Sequence, residues 1–262
     1  MAGALDGVKV LDLTTIYSGP ICTTILGDQG ADIIKIESPE GDFMRQALDV
    51  ERNGVSGMFS MLNRNKRSIV IDLSTGEGKT LLKEMLASAD VIVENFRPGV
   101  MDRLGFDYET MKTINPGIIY ASINGVGQSG PYAKRRVYDA IIQAISGVAT
   151  LQSDPSKERP IMVNTLICDK LTSLVSAQAI SSALYNRSHT GLGQRIDVAM
   201  LDSQVAILEN AIARYLSKNE IPKPMGSRHP SIAPFEAFKT KDSHIIIAVS
   251  YTHLTLPTNR EV

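Results

Sequence analysis

Apolar residues in the first half of the chain come in short, nearly continuous runs. Val8–Leu13 (VKVLDL), Ala31–Glu37 (ADIIKIE), Arg67–Leu73 (RSIVIDL), Ala89–Asn95 (ADVIVEN) and Gly117–Ile123 (GIIYASI) are rich in Val and Ile. Such runs predict strands buried on both faces. Between them the apolar spacing becomes helical. Ser18-Gly19-Pro20 opens a helix, with proline suited to the first turn. Ser74-Thr75-Gly76-Glu77 matches a capping box ahead of the helix GKTLLKEMLAS, and a short helix is expected near Tyr108–Ile114. The polar, glycine-containing stretch from about Ser38 to Gly57 reads as a loop. Strands each followed by a helix predict the α/β class, a Rossmann-like parallel sheet covered on both faces.

The second half continues with helices at Tyr138–Gly147 and Asp169–Arg187, a strand at Gln194–Ala199 and a helix at Met200–Leu216. Residues 1–220 therefore read as one large α/β domain. Residues 221–234 hold four prolines in fourteen positions and read as a linker. FEAFKT and HIIIAV, separated by KDS, predict a β-hairpin that starts a smaller α+β domain over residues 221–250, most of it missing from the chain. Tyr251–Val262 (YTHLTLPTNREV) has neither period and reads as a non-native tail of adapter type.

Composition narrows the function classes. The chain has 262 residues, 43% hydrophobic and 21% charged, with a formal net charge of −1. No global field steers it to nucleic acid or to an anionic membrane. Trp is absent and aromatics are only 5%, which argues against base-stacking surfaces. Cys22 and Cys168 cannot make a disulfide framework or a zinc site alone, and a reduced, cytoplasmic setting is expected. The N-terminus lacks the pattern of a signal peptide, and no run of apolar residues is long enough to span a membrane.

Two motifs imitate nucleotide sites. STGEGKT (Ser74–Thr80) ends like a phosphate loop, but the glycine required five positions before Gly78 is Leu73, so the capping reading prevails. Gly125–Gly130 satisfies G-x-G-x-x-G after a strand, yet Pro131-Tyr132 follows where a helix should begin. A loop near a ligand is expected there, not a nicotinamide site. His189, His229, His244 and His253 lack partners at metal or triad spacing and read as exposed or capping residues. Asn95-Phe96-Arg97-Pro98-Gly99 lies just past the fourth strand, where open parallel sheets bind ligands, although Pro-Gly alone would set a turn. The basic clusters Arg64, Lys66, Arg67 and Lys134, Arg135, Arg136 suit phosphates or simply solvent.

Asp169 opens the long apolar helix. As an N-cap its carboxylate would accept helix amide bonds and be held ionised by the helix terminus. An ionised carboxylate can also attack an activated acyl carbon. Both readings stand on the residue alone.

Taken together, LDGVKVLDLT, SGPICTTILGDQGADIIKIE, NRNKRSIVIDL, ADVIVENFRPGVMDRLG, INGVGQSGPY, YDAIIQAISG and HTGLGQRIDVAMLD resemble, in family order over about residues 4 to 249, the family III CoA-transferases. That group includes formyl-CoA transferase, carnitine CoA-transferases and α-methylacyl-CoA racemase. The resemblance implies that residues 1–220 bind CoA and that Asp169 is the nucleophile of a double displacement. A mixed anhydride and an aspartyl-CoA thioester would form in turn. It implies CoA contacts at Asn95, Phe96, Arg103, Leu104 and Arg136, an acyl-pocket position at Tyr138, and a loop beside the thioester at Ile16, Tyr17 and Ser18. It implies coenzyme A and acyl-CoA as substrates rather than a permanently bound cofactor, no metal, a carboxylic acid as second substrate, and an interlocked homodimer. No nucleic acid or membrane partner is expected.

The chain departs from two members of the group. Formyl-CoA transferases carry Gln where this chain has Tyr17, and racemases carry His where it has Val137 or Tyr138. Racemisation needs two acid/base groups on opposite faces of the α-carbon. The glycine-rich loop that closes the acyl site in some members would lie in the missing part. An acyl-CoA racemase or epimerase, and a catalytically dead CoA-binding fragment, are the alternatives.

Overall fold

The computed structural model describes residues 3–47, 51–52, 54–156 and 159–249. The elements run β1 (Lys9–Asp12), α1 (Ser18–Asp28), β2 (Asp32–Glu37), β3 (Glu51–Arg52), β4 (Val55–Ser56), α2 (Gly57–Leu62), β5 (Lys66–Val70), α3 (Gly76–Leu86), β6 (Val91–Glu94), α4 (Val100–Leu104), α5 (Tyr108–Ile114) and β7 (Ile119–Asn124). Then follow α6 (Asp139–Ser146), α7 (Val148–Leu151), α8 (Ile167–Thr190), β8 (Arg195–Ala199), α9 (Met200–Ala206), α10 (Glu209–Lys218), β9 (Phe235–Lys239) and β10 (His244–Ala248).

Six parallel strands form the main sheet in the order β5-β2-β1-β6-β7-β8. Its central strands are buried on both faces, as the Val/Ile runs require: all four residues of β6 and all six of β7 are buried. Alternate residues serve opposite layers. Val10, Val91, Val93, Ile119 and Ala121 face a core closed by Cys22 and Leu26 of α1 and by Ala177, Ile180 and Ala183 of α8. Leu11, Ile92 and Tyr120 face the other core, closed by Leu82 and Leu86 of α3, Met101 of α4 and Met111 of α5. Burial of a large aliphatic side chain contributes about 1.5–3 kcal/mol, so these two layers hold the helices against both faces of the sheet.

Chain order reverses between β1 and β6. The loops leaving their carboxyl ends diverge and open a crevice, the usual ligand position in such sheets. Buried charges anchor the β1 loop. Lys66 Nζ pairs with Asp12 at 2.9 Å, and Lys35 Nζ pairs with Asp42 at 2.9 Å and donates to the Thr14 carbonyl at 2.8 Å. Asp12 also accepts from the Thr14 amide and hydroxyl. Burial opposes a charge on Asp12, but Lys66 and then Lys35 outweigh it and hold the carboxyl below its usual range.

Several sequence expectations change. The stretch from Ser38 to Gly57 is not a plain loop: it holds a 3₁₀ turn at Phe43–Arg45, the small β3–β4 ladder and the start of α2, all packed around Met44, Phe59 and Leu62. The helix expected over Met200–Leu216 breaks at Ile207-Leu208 into α9 and α10. The cap of α3 is Thr75, whose hydroxyl accepts from the Gly78 amide at 3.0 Å, one residue later than the capping-box match. Arg64, Lys66 and Arg67 pair with Asp28, Asp12 and Asp32, the Lys66 pair buried and the two arginine pairs at the surface, so each member of that cluster has a partner within the chain. The hairpin expected after the proline-rich stretch forms as β9 and β10. The proposed tail and His253 lie outside the described residues. No helix among the described residues is long and apolar enough to cross a membrane.

Candidate active site

Three segments converge beyond the carboxyl ends of β1, β6 and β7. The first is the β1 loop entering α1. Ile16 adopts φ 71° there, a left-handed conformation that a β-branched residue rarely tolerates. Asn95, just after β6, clamps this loop: its Oδ1 accepts from the Thr15 amide at 2.9 Å and its Nδ2 donates to the Thr15 carbonyl at 2.8 Å. The third segment is the amino end of α8, which packs against α1. Ser173 Oγ bridges them by donating to the Ser18 carbonyl at 2.7 Å.

Between these segments lies a cleft of about 150 Å³. Ile16, Tyr17, Ser18, Asn95, Tyr138 and Asp169 all line it, with Thr15, Ile123, Asn124, Gly125, Val137 and Met200. Asp169 is the one carboxylate among these lining residues. A second cavity of about 240 Å³ shares Thr15 and is lined by Phe96 and Leu104. Arg103 and Arg136 are exposed and line neither space. Eight of the ten positions singled out in the sequence thus border two adjoining spaces at the reversal of the sheet.

Asp169 is not an N-cap. Helix α8 begins two residues earlier, at Ile167, and its cap position is Leu166, in the left-handed region at φ 50° with no side-chain cap. The helix amides are satisfied from another element. Asp139 Oδ2, at the start of α6, accepts from the amides of Cys168 at 2.7 Å and Asp169 at 3.1 Å. Its Oδ1 accepts from Gln143 Nε2 at 2.5 Å, and Gln143 also ties down the Val163 carbonyl and amide.

The electrostatics follow. The helix terminus was expected to keep the Asp169 carboxylate ionised and its pKa low. Instead burial, and then the Asp139 carboxylate, push it up to about 7, against a lowering hydrogen bond from Ser18. Loss of hydration outweighs the partial charge of the helix end. The same two aspartates, after burial, raise the Tyr17 hydroxyl above its usual range.

Asp139 escaped the sequence reading. Its partners are 29 and 30 residues away, and the only local signal was an acid opening a helix with Gln four residues later. The Gly125–Gly130 loop folds back on β7 rather than leading into a helix. Asn124 Oδ1 accepts from the Gly127 amide at 2.5 Å, and Gln128 Nε2 donates to Ser122 Oγ at 2.6 Å. Among the described residues no group of three His, Cys, Asp or Glu side chains is arranged to hold a metal.

The chain as a whole is similar to known proteins. The family description "CoA-transferase family III" matches residues 5–256. The acetyl-CoA:oxalate CoA-transferase of Acetobacter aceti is 42% identical over 253 residues, covering 96% of this chain and 65% of that protein. The succinate–glutarate CoA-transferase of Agrobacterium fabrum is 39% identical over 253 residues, covering 94% and 63%. The crystal structure of a CAIB/BAIF family protein from Brucella suis superposes with a TM-score of 0.88 at 42% identity, covering 95% of this chain and 66% of that one. The chain spans just under two thirds of the length of each of these three proteins.

Proposed function

The chain belongs to CoA-transferase family III, and from that premise we propose that it moves CoA from an acyl-CoA thioester to a carboxylic acid through Asp169. The observation that carries this reading is the position of Asp169: a desolvated carboxylate on the wall of a cleft at the reversal of the sheet.

In the proposed sequence an Asp169 oxygen attacks the thioester carbonyl carbon, and the C–S bond breaks to release CoA thiolate. The product is a mixed anhydride between Asp169 and the donor acyl group. The thiolate attacks the Asp169 carbonyl carbon and expels the donor acid as its carboxylate, leaving an aspartyl-CoA thioester. The acceptor carboxylate then attacks that thioester, and a second thiolate attack on the new anhydride releases acceptor acyl-CoA and free Asp169. No net proton is consumed.

The environment of Asp169 favours its acylation. Burial and Asp139 both penalise the charged carboxylate. Forming a neutral anhydride or thioester removes that penalty, so part of the ground-state cost is relieved along the reaction. Water must be kept from the anhydride, which suits a narrow cleft. At about 150 Å³ the cleft takes an acyl group and its thioester but not a nucleotide. The adjoining cavity at Phe96 and Leu104 is the place for part of the CoA body, with exposed Arg103 and Arg136 supplying charge for its phosphates.

The donor is a short-chain or dicarboxylic acyl-CoA, in keeping with relatives named for oxalate, succinate and glutarate. An interlocked homodimer would cover the apolar side chains left open on and after α10, where Leu216 and Ile221 are 77% and 80% exposed. Cytoplasmic placement suits the two buried free thiols, Cys22 and Cys168. A racemase would need a second base facing Asp169. Asp139 does not line the cleft, and its carboxylate is engaged by Gln143 and by the amides of Cys168 and Asp169.

The test is exchange of CoA between an acyl-CoA and a panel of carboxylic acids by the full-length protein. Asp169→Asn should lower exchange at least about a thousandfold, as expected for loss of a nucleophile. Exchange at the wild-type rate would remove Asp169 from the reaction.

A further inference from the structure

Each backbone polar group of the β1 loop from the Thr14 amide to the Ile16 amide is held by a side chain. Asp12 accepts from the Thr14 amide at 2.9 Å, and Lys35 Nζ donates to the Thr14 carbonyl at 2.8 Å. Asn95 holds both groups of Thr15. Asp42 Oδ1 accepts from the Ile16 amide in a long hydrogen bond of 3.4 Å. A β-branched residue persists in the left-handed region only where its surroundings over-determine it, and these bonds do so at Ile16.

The Lys35–Asp42 pair grips this loop on both sides of the Asn95 clamp. Nζ and Oδ2 are 2.9 Å apart, and the two side chains are 1% and 0% exposed. Asp42 is itself fixed: its amide donates to Glu37 Oε2 at 3.0 Å, and its Oδ1 also accepts from the Met44 amide at 2.9 Å. A buried ion pair is a weak source of stability, because desolvation of two charges offsets their attraction. What this one holds is more telling. Ile16 leads into Tyr17, at the cap position of α1, and into Ser18. The Ser18 hydroxyl hydrogen-bonds the Asp169 carboxylate and opposes the upward push of burial and Asp139 on its pKa.

We propose that the buried Lys35–Asp42 pair is a positioning device for the reaction: it locks the left-handed turn at Ile16 and so keeps the Ser18 hydroxyl on the Asp169 carboxylate. Neither residue lines the cleft, so both act through the loop. The inference rests on the CoA-transferase reading and adds two positioning residues to that same site.

The experiment uses full-length protein and the double variant Lys35→Met/Asp42→Asn. Both charges go together, and an oxygen remains at position 42 for the Ile16 and Met44 amides. Asp42 also borders the adjoining cavity, so kcat and KM for acyl-CoA are read separately. Urea midpoints give the folded fraction. Per folded molecule kcat should fall about 10- to 100-fold with KM within about threefold, as a displaced wall group predicts. The acid limb of the pH profile should move to higher pH, because Asp169 loses a hydrogen bond to its charged form. Ser18→Ala should move the limb in the same direction, and adding it to the double variant should move the limb no further. A wild-type limb in the folded double variant overturns the proposal, whatever its kcat, and so does a shift that adds to that of Ser18→Ala. If the double variant does not fold, the isosteric Asp42→Asn alone is judged by the same readings. Absence of CoA exchange by wild type with any acid would instead overturn the transferase reading, and the two failures are distinct.

Discussion

Asp139 Oδ2 accepts a hydrogen bond from the backbone amide of Asp169 at 3.1 Å, and another from Cys168 at 2.7 Å. One carboxylate thus fastens the helix turn that carries the other, and both are withdrawn from water. The arrangement fixes Asp169 in place at the cost of a like charge beside it. Its consequences for pH and stability can be measured separately.

For activity, Asp169 must be ionised to attack. With its pKa pushed up to about 7, by burial first and Asp139 second, kcat/KM should rise about tenfold per pH unit below 7 and level off above about pH 8. Asp139→Asn removes the like charge but keeps an oxygen for the amides, so the acid limb should move to lower pH. The check is the pH profile of CoA exchange for both proteins. A wild-type limb near pH 4, or one that Asp139→Asn leaves in place, would contradict this.

For stability the sign is opposite. The folded-state pKa of Asp169 lies above the unfolded value of 3.8, so the unfolded chain gives up this proton first as pH rises. Any stability this group contributes is fully present below about pH 4 and is lost as pH climbs to about 7, by at most about 4 kcal/mol. Asp169→Asn has no such proton. It should match wild type near pH 3.8 and exceed it above pH 7, read from urea midpoints at constant slope.

Part of the cleft wall is set by a close contact. A Cβ at Gly125 would lie 1.9 Å from Val137 Cγ2, but 3.5 Å from Val137 Cβ. Gly125→Ala should therefore push Val137 and Tyr138 aside and raise KM for acyl-CoA about tenfold, a displacement of the pocket wall. Adding Val137→Ala removes the clashing carbon and should restore most of that loss. Steady-state kinetics of the two single variants and the double variant give the coupling. Additive effects would mean that this contact does not shape the cleft.

How far the sequence discloses this molecule depends on the range of each signal. The runs VIVE and IYASIN are buried on both faces because of their own residue types, as read, whereas RSIVIDL, read the same way, is the edge strand β5 and is mostly open to solvent, because its position in the sheet and not its residue types decides that. Asn95 and Phe96 follow β6 directly, so their place at the crevice comes with the strand. Asp169 could be located but not understood, because its cap and its neighbouring charge come from Asp139, 30 residues away. Lys66 looked like surface charge and is buried against Asp12, 54 residues away. Helices α2 and α4 have six and five residues, too few for a periodic pattern, and they form where Phe59 and Met101 find cores built by other segments. Even Gly125–Gly130 kept its motif while doing another task, since Asn124 rather than a helix end collects its amide.

The covalent role of Asp169 is tested most directly by trapping. Full-length protein is incubated with a panel of acyl-CoAs, treated with hydroxylamine, digested and mapped by mass spectrometry. A hydroxamate should appear on the peptide carrying Asp169, only with acyl-CoA present and never in Asp169→Asn, because an anhydride or thioester is activated enough for hydroxylamine and a free carboxylate is not. Turnover of those same acyl-CoAs with Asp169 recovered unmodified would contradict the mechanism.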